Sequence, residues 1–139
     1  MILGPGFWES GSGTFFKTAS KGYPFYPPGG SGFITVADVT RSMINLMNSK
    51  ITGERFILVA KNLSYKEILG SITSTMGKKV PSKELKMWQL QIGKFADQIR
   101  NLVTRKPRTI TNSTIYGLQH PTKFDNSKAI DALKFDFEP

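Results

Sequence analysis

The sequence predicts an α+β domain that is mainly helical and has short strands. Apolar residues recur at helical spacing around residues 36–48 and again around 83–105. One compact apolar run, at residues 55–60, has the length of a strand. The chain has 139 residues, of which 39% are hydrophobic, and this is enough for one domain with a buried core.

The first 32 residues are rich in glycine and proline, which favours turns and short elements. Residues Met1–Gly6 have the pattern of an apolar strand end that runs into a Gly-Pro-Gly loop. The segment Thr14–Lys21 is predicted to form a short helix. Proline lacks the donor that a strand ladder needs, so an extended segment at Tyr23–Tyr26 is expected at a sheet edge or on the surface. The segment Gly29–Gly32 is either a phosphate-binding loop or only a turn, and the absence of an adjacent lysine favours the turn.

A helix is predicted from Val36 to Asn48. Thr35 precedes it, and Asp38 follows Thr35 by three residues, as in an acidic variant of the capping box. The threonine hydroxyl is expected to accept from free backbone N–H groups, while the carboxylate favours the positive end of the helix.

A strand–loop–helix unit follows. The run Arg55–Ala60 is predicted to be a strand buried on both faces. Ser64 and Glu67 then form a second capping box, which predicts a helix that ends near Met76 and Gly77. Its apolar side is expected to carry Ile68, Leu69 and Ile72.

A long helix is predicted from Lys83 to Arg105. Its apolar residues are spaced by three and four positions, which is typical of a face packed on a core. Met87 and Leu90 widen that face, so a second partner surface, such as another subunit, is also consistent with the pattern. The predicted seam consists of Leu85, Trp88, Ile92, Phe95, Ile99 and Leu102.

Pro107 is predicted to end this helix. Thr111 then caps a short helix that runs through Gln119, and Asp125 or Asn126 caps another through Leu133. The residues Leu133–Pro139 form an alternating tail.

The composition excludes several classes of site. Without cysteine there is no disulfide framework, no thiolate metal site and no cysteine nucleophile. His120 is the one histidine and cannot build a zinc site alone, so no metal is expected. No apolar run approaches the roughly 20 residues that span a bilayer. We therefore expect a cytoplasmic protein without a membrane partner.

The net charge of +9 is unevenly distributed. Residues 78–108 hold nine basic residues against two acidic ones, an excess of seven charges. Such a stretch attracts nucleic acid or an anionic membrane surface, or it is the solvated side of an amphipathic helix, which we favour. A small basic nucleic-acid-binding or protein-interaction module is therefore the alternative function. Nucleic acid is less favoured because Trp88 and Phe95 belong to the predicted core seam and would not be free to stack on bases.

Five segments, taken together and in order, resemble a known family. The segments are Ile2–Gly6, Gly32–Val39, Gly53–Leu58, Asn62–Glu67, and Phe124–Ala129 leading to Leu133–Phe135. On these segments the chain is similar to the C-terminal portion of an extended short-chain dehydrogenase/reductase, a Rossmann-type protein of the NAD-dependent epimerase/dehydratase family, in its dihydroflavonol-reductase-like branch. The similarity extends over nearly the whole chain.

The resemblance implies that residues 1–139 are a single substrate-binding domain and that the N-terminal dinucleotide-binding domain is absent. The family's Tyr-x-x-x-Lys pair is missing, because no tyrosine is followed four positions later by lysine. No G-x-G-x-x-G motif is present either. No catalytic residue is therefore assigned, and the chain alone is expected to be inactive. The complete protein would use NAD or NADP, whereas none is expected for this chain alone.

The resemblance also implies site residues and partners. Leu3, Gly4, Pro5 and Gly6 would lie near the nicotinamide end of the cofactor. Apolar surfaces that normally face the missing domain would be exposed, so a homo-oligomer is expected. The full enzyme would take a small-molecule substrate. Candidates for lining its pocket are Phe7, Trp8, Phe15 and Phe16, although ordinary packing explains these rings equally well.

Two parent activities fit this family, a nucleoside-diphosphate-sugar epimerase and a dihydroflavonol-reductase-like enzyme. The epimerases usually carry an arginine just before the segment that matches Gly32, where it meets the diphosphate. Here that position holds Ser31, which cannot donate the two parallel hydrogen bonds that an arginine makes to phosphate. The resemblance therefore favours a reductase that acts on a carbonyl of a less charged substrate.

Overall fold

The computed structural model describes residues 1–6, 8, 11–104, 111–134 and 137, without the side chains of residues 96 and 99–104. The described residues form helices and short strands, which confirms the mixed α+β class. The helices are α1 (Gly13–Ser20), α2 (Val36–Met47), α3 (Tyr65–Thr75), α4 (Met87–Thr104), α5 (Asn112–Gln119) and α6 (Ser127–Leu133). The strands are β1 (Ile2–Leu3), β2 (Phe25–Tyr26), β3 (Gly30–Thr35), β4 (Lys61–Ser64) and β5 (Lys83–Glu84).

The strands form one three-stranded and one two-stranded sheet. In the larger sheet, β3 lies in the centre, parallel to β1 and antiparallel to β4. Leu3 is opposite Thr35, which brings the end of β1 beside the start of α2. The smaller sheet pairs β2 with β5 in parallel.

Glycines allow close approach at the start of β3. A Cβ on Gly29 would lie 2.6 Å from the carbonyl oxygen of Leu118, and one on Gly30 would lie 2.7 Å from that of Leu63. The Gly29 N–H donates to the Leu118 oxygen at 2.7 Å. This segment is therefore packed against neighbouring backbone, and both the turn and the phosphate-loop interpretations give way to a strand start.

The main core lies between the central strand and the helices α1 and α3. Its buried members are Ala19, Phe33, Tyr65, Ile68 and Ile72. Burial raises the pKa of the Tyr65 phenol, and its hydroxyl donates to the backbone oxygen of Gly117 at 3.4 Å. The predicted apolar side of α3 is thereby confirmed.

Both predicted helix caps are present, and the cap of α3 is a complete capping box. The Thr35 hydroxyl accepts from the N–H of Asp38 at 3.0 Å, and the buried Asp38 carboxylate pairs with Arg41. The Ser64 hydroxyl accepts from the N–H of Glu67 at 3.2 Å, and the Glu67 carboxylate accepts from the N–H of Ser64 at 2.8 Å. Gly77 follows α3 with a φ of +64°, which agrees with the predicted end of this helix.

The predicted strand Arg55–Ala60 is wrong. Residues 55–60 have no strand assignment, and the strand of this region is β4, which begins at Lys61. β4 pairs with β3 in a register that places Lys61 opposite Phe33, and β3 ends at Thr35, where α2 begins. An extension of β4 back into the apolar run would therefore soon lie opposite a helix and not a strand, although the Ala60 N–H still donates to Phe33. Ile57 is exposed, and the segment is not buried on both faces.

Two predictions about the long helix are also wrong. Lys83 and Glu84 lie in β5, so α4 begins at Met87, and its predicted end at Arg105 lies outside the described residues. The seam is not packed on the core along its described length. Trp88 is 59% exposed, Ile92 58% and Phe95 65%.

The C-terminal part follows the predicted order of elements. Thr111 caps α5, where its hydroxyl accepts from the N–H of Thr114 at 3.2 Å. Asn126 occupies the cap position of α6, but the side chain that accepts there belongs to Asp125, which receives the Ser127 N–H at 2.9 Å. Of the alternating tail, only residues 133, 134 and 137 are described. None of the described helices is long and apolar enough to cross a membrane.

A candidate binding cavity beside the first strand

An apolar cavity of about 490 Å³ opens where β1, α1 and the start of α2 meet. Cavities that bind small molecules are mostly apolar and typically have volumes of about 300–1,000 Å³. The described lining consists of Leu3, Gly4, Pro5, Trp8, Phe16, Thr35, Val36 and Ala37.

The sheet register brings the two halves of this lining together. Because Leu3 pairs with Thr35 in parallel strands, the loop after β1 and the first turn of α2 leave the sheet at the same edge. A Cβ on Gly4 would lie 2.8 Å from Cγ1 of Val36. Only glycine lets the loop lie this close to the helix.

Trp8 and Phe16 form the aromatic wall of the cavity. Their ring centroids are 5.3 Å apart and their planes meet at 84°, which is an edge-to-face contact. Such pairs stabilise by about 0.5–1.5 kcal/mol beyond their buried area. Trp8 is partly exposed, so one face of its ring is available at the opening.

Phe15 points elsewhere, although it is adjacent to Phe16. Its ring stacks on Tyr65 at 5.6 Å and meets Phe33 edge to face at 6.1 Å, inside the core. It also borders a second cavity of about 350 Å³, together with Leu69 and Leu118. Gly6 is not in the described lining of the first cavity, and Phe7 lies outside the described residues.

The polar side-chain groups of the described lining are the Thr35 hydroxyl and the indole N–H of Trp8. That hydroxyl accepts from the Asp38 N–H and so caps α2. The described lining is therefore suited to an apolar group, and it holds no side chain that transfers a proton near neutral pH. Over the described ranges, no group of three histidine, aspartate or glutamate side chains forms a metal site.

Carboxylates with shifted pKa values lie away from the cavity and perform structural roles. The hydrogen bond from Lys128 lowers the pKa of Glu54. Hydrogen bonds from Ser64 lower the pKa of Glu67, and those from Ser127 lower the pKa of Asp125. Each lowered pKa results from hydrogen bonds within an ion pair or at the start of a helix.

The sequence did not predict that Thr35, Val36 and Ala37 border the cavity. The capping pattern at Thr35 marks the helix start, and this is the signal that a strand ends there. The pattern does not reveal that β1 pairs beside it, because strand pairing depends on contacts distant in sequence.

No family model matches the chain, and no curated protein matches it. One similar solved structure is described as the crystal structure of gox2253, with a TM-score of 0.70 and 20% sequence identity. The match covers 99% of this chain and 42% of that chain. At this identity the likeness concerns the fold alone. This chain thus spans less than half the length of that solved chain.

Proposed function

We propose that the chain is the substrate-binding part of an NAD(P)-dependent oxidoreductase of the extended short-chain dehydrogenase/reductase type, in its dihydroflavonol-reductase-like branch. One observation carries the proposal. Of the eight site residues that the resemblance implies, five line one apolar cavity, namely Leu3, Gly4, Pro5, Trp8 and Phe16.

The nature of the cavity favours an uncharged carbonyl substrate. Its described walls are aliphatic and aromatic, so a sugar diphosphate would lose hydration there without gaining a charged partner. Ser31 lies within β3, where it pairs with Leu63 and is not in the described lining. These features support a reductase rather than a nucleotide-sugar epimerase.

In this proposal the dinucleotide supplies the hydride, and its nicotinamide end lies against Leu3, Gly4 and Pro5. The walls of the cavity orient the substrate and exclude water from it. The acid–base pair and the phosphate-binding glycines would belong to a dinucleotide-binding half of the enzyme.

The surface that would contact the dinucleotide-binding half begins at the cavity. Val36 lines the cavity, and Met43 and Met47 follow it on the same side of α2, at spacings of seven and four residues. All three side chains are exposed, and Met47 reaches 83%. In the isolated chain the same α2 stripe favours self-association.

The proposal is tested by mixing the chain with a separately expressed dinucleotide-binding half encoded upstream. We expect NADPH-dependent reduction of an apolar ketone or aldehyde only in the mixture. Met47→Lys should weaken the association of the two parts, because it places a charge on the α2 stripe. Met76→Lys, on an exposed methionine after α3, is the matched control.

Two results would overturn the proposal. One is turnover of NADPH by the chain alone. The other is a mixture in which the two parts neither associate nor reduce any carbonyl substrate. A chain that remains monomeric in light scattering at high concentration would contradict the expected self-association.

A further inference from the structure

Helix α4 has two opposite faces of different character. Leu90 and Asp97 are buried on one face, at 8% and 7% exposure. Trp88, Ile92 and Phe95 lie on the other, at spacings of four and three residues. With about 100° of rotation per residue, these two sets point in nearly opposite directions.

The buried face is attached to α5. Lys94 Nζ donates to Oδ1 of Asn112 at 2.6 Å, and Nε2 of Gln119 donates to the sulfur of Met87 at 2.8 Å. The three exposed residues, which we call the α4 stripe, therefore face away from the rest of the described structure. No α4 residue belongs to the described lining of the candidate cavity.

The α4 stripe lies within the most basic part of the chain. Residues 78–108 contain nine basic side chains and two acidic ones. Lys78, Lys79, Lys83 and Lys86 precede the helix and are exposed. Of the two acidic residues, Asp97 is buried and Glu84 is exposed in β5.

In contrast to the absence of a membrane partner expected from the sequence, we propose that α4 is an interfacial helix that lies flat on an anionic lipid surface. A helix that binds in this way inserts an apolar stripe with tryptophan and phenylalanine among the lipid headgroups, while neighbouring lysines meet the anionic lipids. The 18 residues of α4 give it a length of about 27 Å parallel to the surface. It binds one leaflet and does not cross the bilayer.

Two other partners for the α4 stripe are a second copy of the chain and a single-stranded nucleic acid. The charge and the composition of the stripe favour the lipid surface over both. A second copy of the chain would bring two basic regions together, each on a chain with a net charge of +9. A single-stranded nucleic acid needs ring platforms for successive bases. Trp88 and Phe95 are about 10 Å apart along the helix, and the aliphatic Ile92 lies between them.

The tryptophan content of the chain allows a direct test. The chain has two tryptophans, so Trp8→Phe leaves Trp88 as the only indole. This variant is titrated with phosphatidylcholine vesicles that contain about one third phosphatidylserine, and with vesicles of phosphatidylcholine alone. We expect a blue shift of the Trp88 emission, and quenching by brominated lipid, with the anionic vesicles only. Added salt should reduce the binding.

Ile92→Ser should weaken partitioning into the anionic vesicles about tenfold, because it removes the central apolar residue of the stripe. Ile44→Ser makes the same change at an isoleucine of similar exposure on α2, 51% against 58%, and should leave partitioning unchanged. Circular dichroism establishes that each variant is folded, and Phe95→Ser replaces Ile92→Ser if the latter is not.

Three outcomes would overturn the proposal. One is the absence of any shift with anionic vesicles, and another is an equal shift with neutral vesicles. The third is a Trp88 signal that depends only on protein concentration or on an added oligonucleotide, which would assign the stripe to a second copy or to nucleic acid.

Discussion

The side chain of Asn62 holds the backbone of Phe124, which lies 62 residues further along the chain. Its amide nitrogen donates to the Phe124 carbonyl oxygen, and its amide oxygen accepts from the Phe124 N–H, both at 2.9 Å. The Phe124 ring packs so closely over Gly32 that a Cβ there would lie 2.9 Å from it. This pair of hydrogen bonds fixes the segment before α6 against the central strand.

Replacement of Asn62 by alanine should lower the free energy of unfolding by about 1–2 kcal/mol, because both Phe124 backbone groups lose a partner. Asn62→Asp keeps an acceptor for the N–H but removes the donor, so it should also destabilise. Urea unfolding at neutral pH measures both. Unchanged stability in both variants would show that the two hydrogen bonds do not hold the segment.

Gly29 and Gly117 should respond oppositely to alanine. A Cβ on Gly29 would meet the Leu118 backbone at 2.6 Å, so Gly29→Ala is expected to destabilise by about 1–3 kcal/mol. A Cβ on Gly117, within α5, meets nothing within 4 Å, and Gly117→Ala should stabilise by about 0.5–1 kcal/mol. Thermal unfolding of the two variants gives the comparison. The packing of β3 against α5 would be refuted if both variants behaved alike.

Acid should weaken the capping box at α3. The hydrogen bonds from Ser64 hold the pKa of Glu67 below its ordinary value, so the carboxylate stabilises the folded state at neutral pH. That stabilisation is lost as the pH falls from the ordinary glutamate range through the lower folded pKa. Glu67→Gln and Ser64→Ala should each reduce the difference in urea midpoint between pH 7 and about pH 3. An undiminished difference in both variants would contradict the capping role.

The two faces of α4 should differ in their contribution to stability. Leu90 is buried, so Leu90→Ala is expected to cost about 2–3 kcal/mol. Ile92 is exposed, so Ile92→Ala should change the free energy of unfolding by less than about 0.5 kcal/mol. Urea unfolding of both variants measures the two losses in stability and so shows which face of α4 packs against the rest of the structure. The reverse order would support the core seam that the sequence predicts.

The parts of the fold that were predicted correctly depend on local interactions. At α2 and α3 the capping side chain and its partner are three residues apart, so the sequence alone contains the whole interaction. The left-handed Gly77 likewise follows from a local conformational preference. For this reason the start and end of these helices agree with the predicted bounds within about one residue.

The errors have a common physical cause, because each depended on contacts between distant segments. The run at residues 55–60 has strand-forming side chains, but β3 ends at Thr35 and leaves little strand for it to pair with. The periodicity of α4 correctly defines two faces, yet it does not say which one contacts α5. Leu90 and Asp97 lie on the face opposite Trp88 and are buried, and the hydrogen bond of Lys94 to Asn112 lies beside that face, about 120° around the helix from Trp88.

The candidate site was predicted in part. The resemblance identified the loop after β1 together with Trp8 and Phe16, and these residues line the cavity. It also suggested Phe15, which packs in the core beside Tyr65. Adjacent residues on a helix point about 100° apart, and on α1 this offset directs Phe15 to the core and Phe16 to the cavity.

The central claim is that the loop after β1 borders the nicotinamide end of a dinucleotide, with the Trp8 ring in the wall of the same cavity. The most direct measurement is energy transfer from tryptophan to the reduced nicotinamide of NADPH, in the mixture of this chain with the dinucleotide-binding half. We predict that Trp8→Phe removes most of the transfer contributed by this chain, and that Trp88→Phe leaves it largely unchanged. Transfer that persists without Trp8, or a mixture that binds no dinucleotide, would contradict the account.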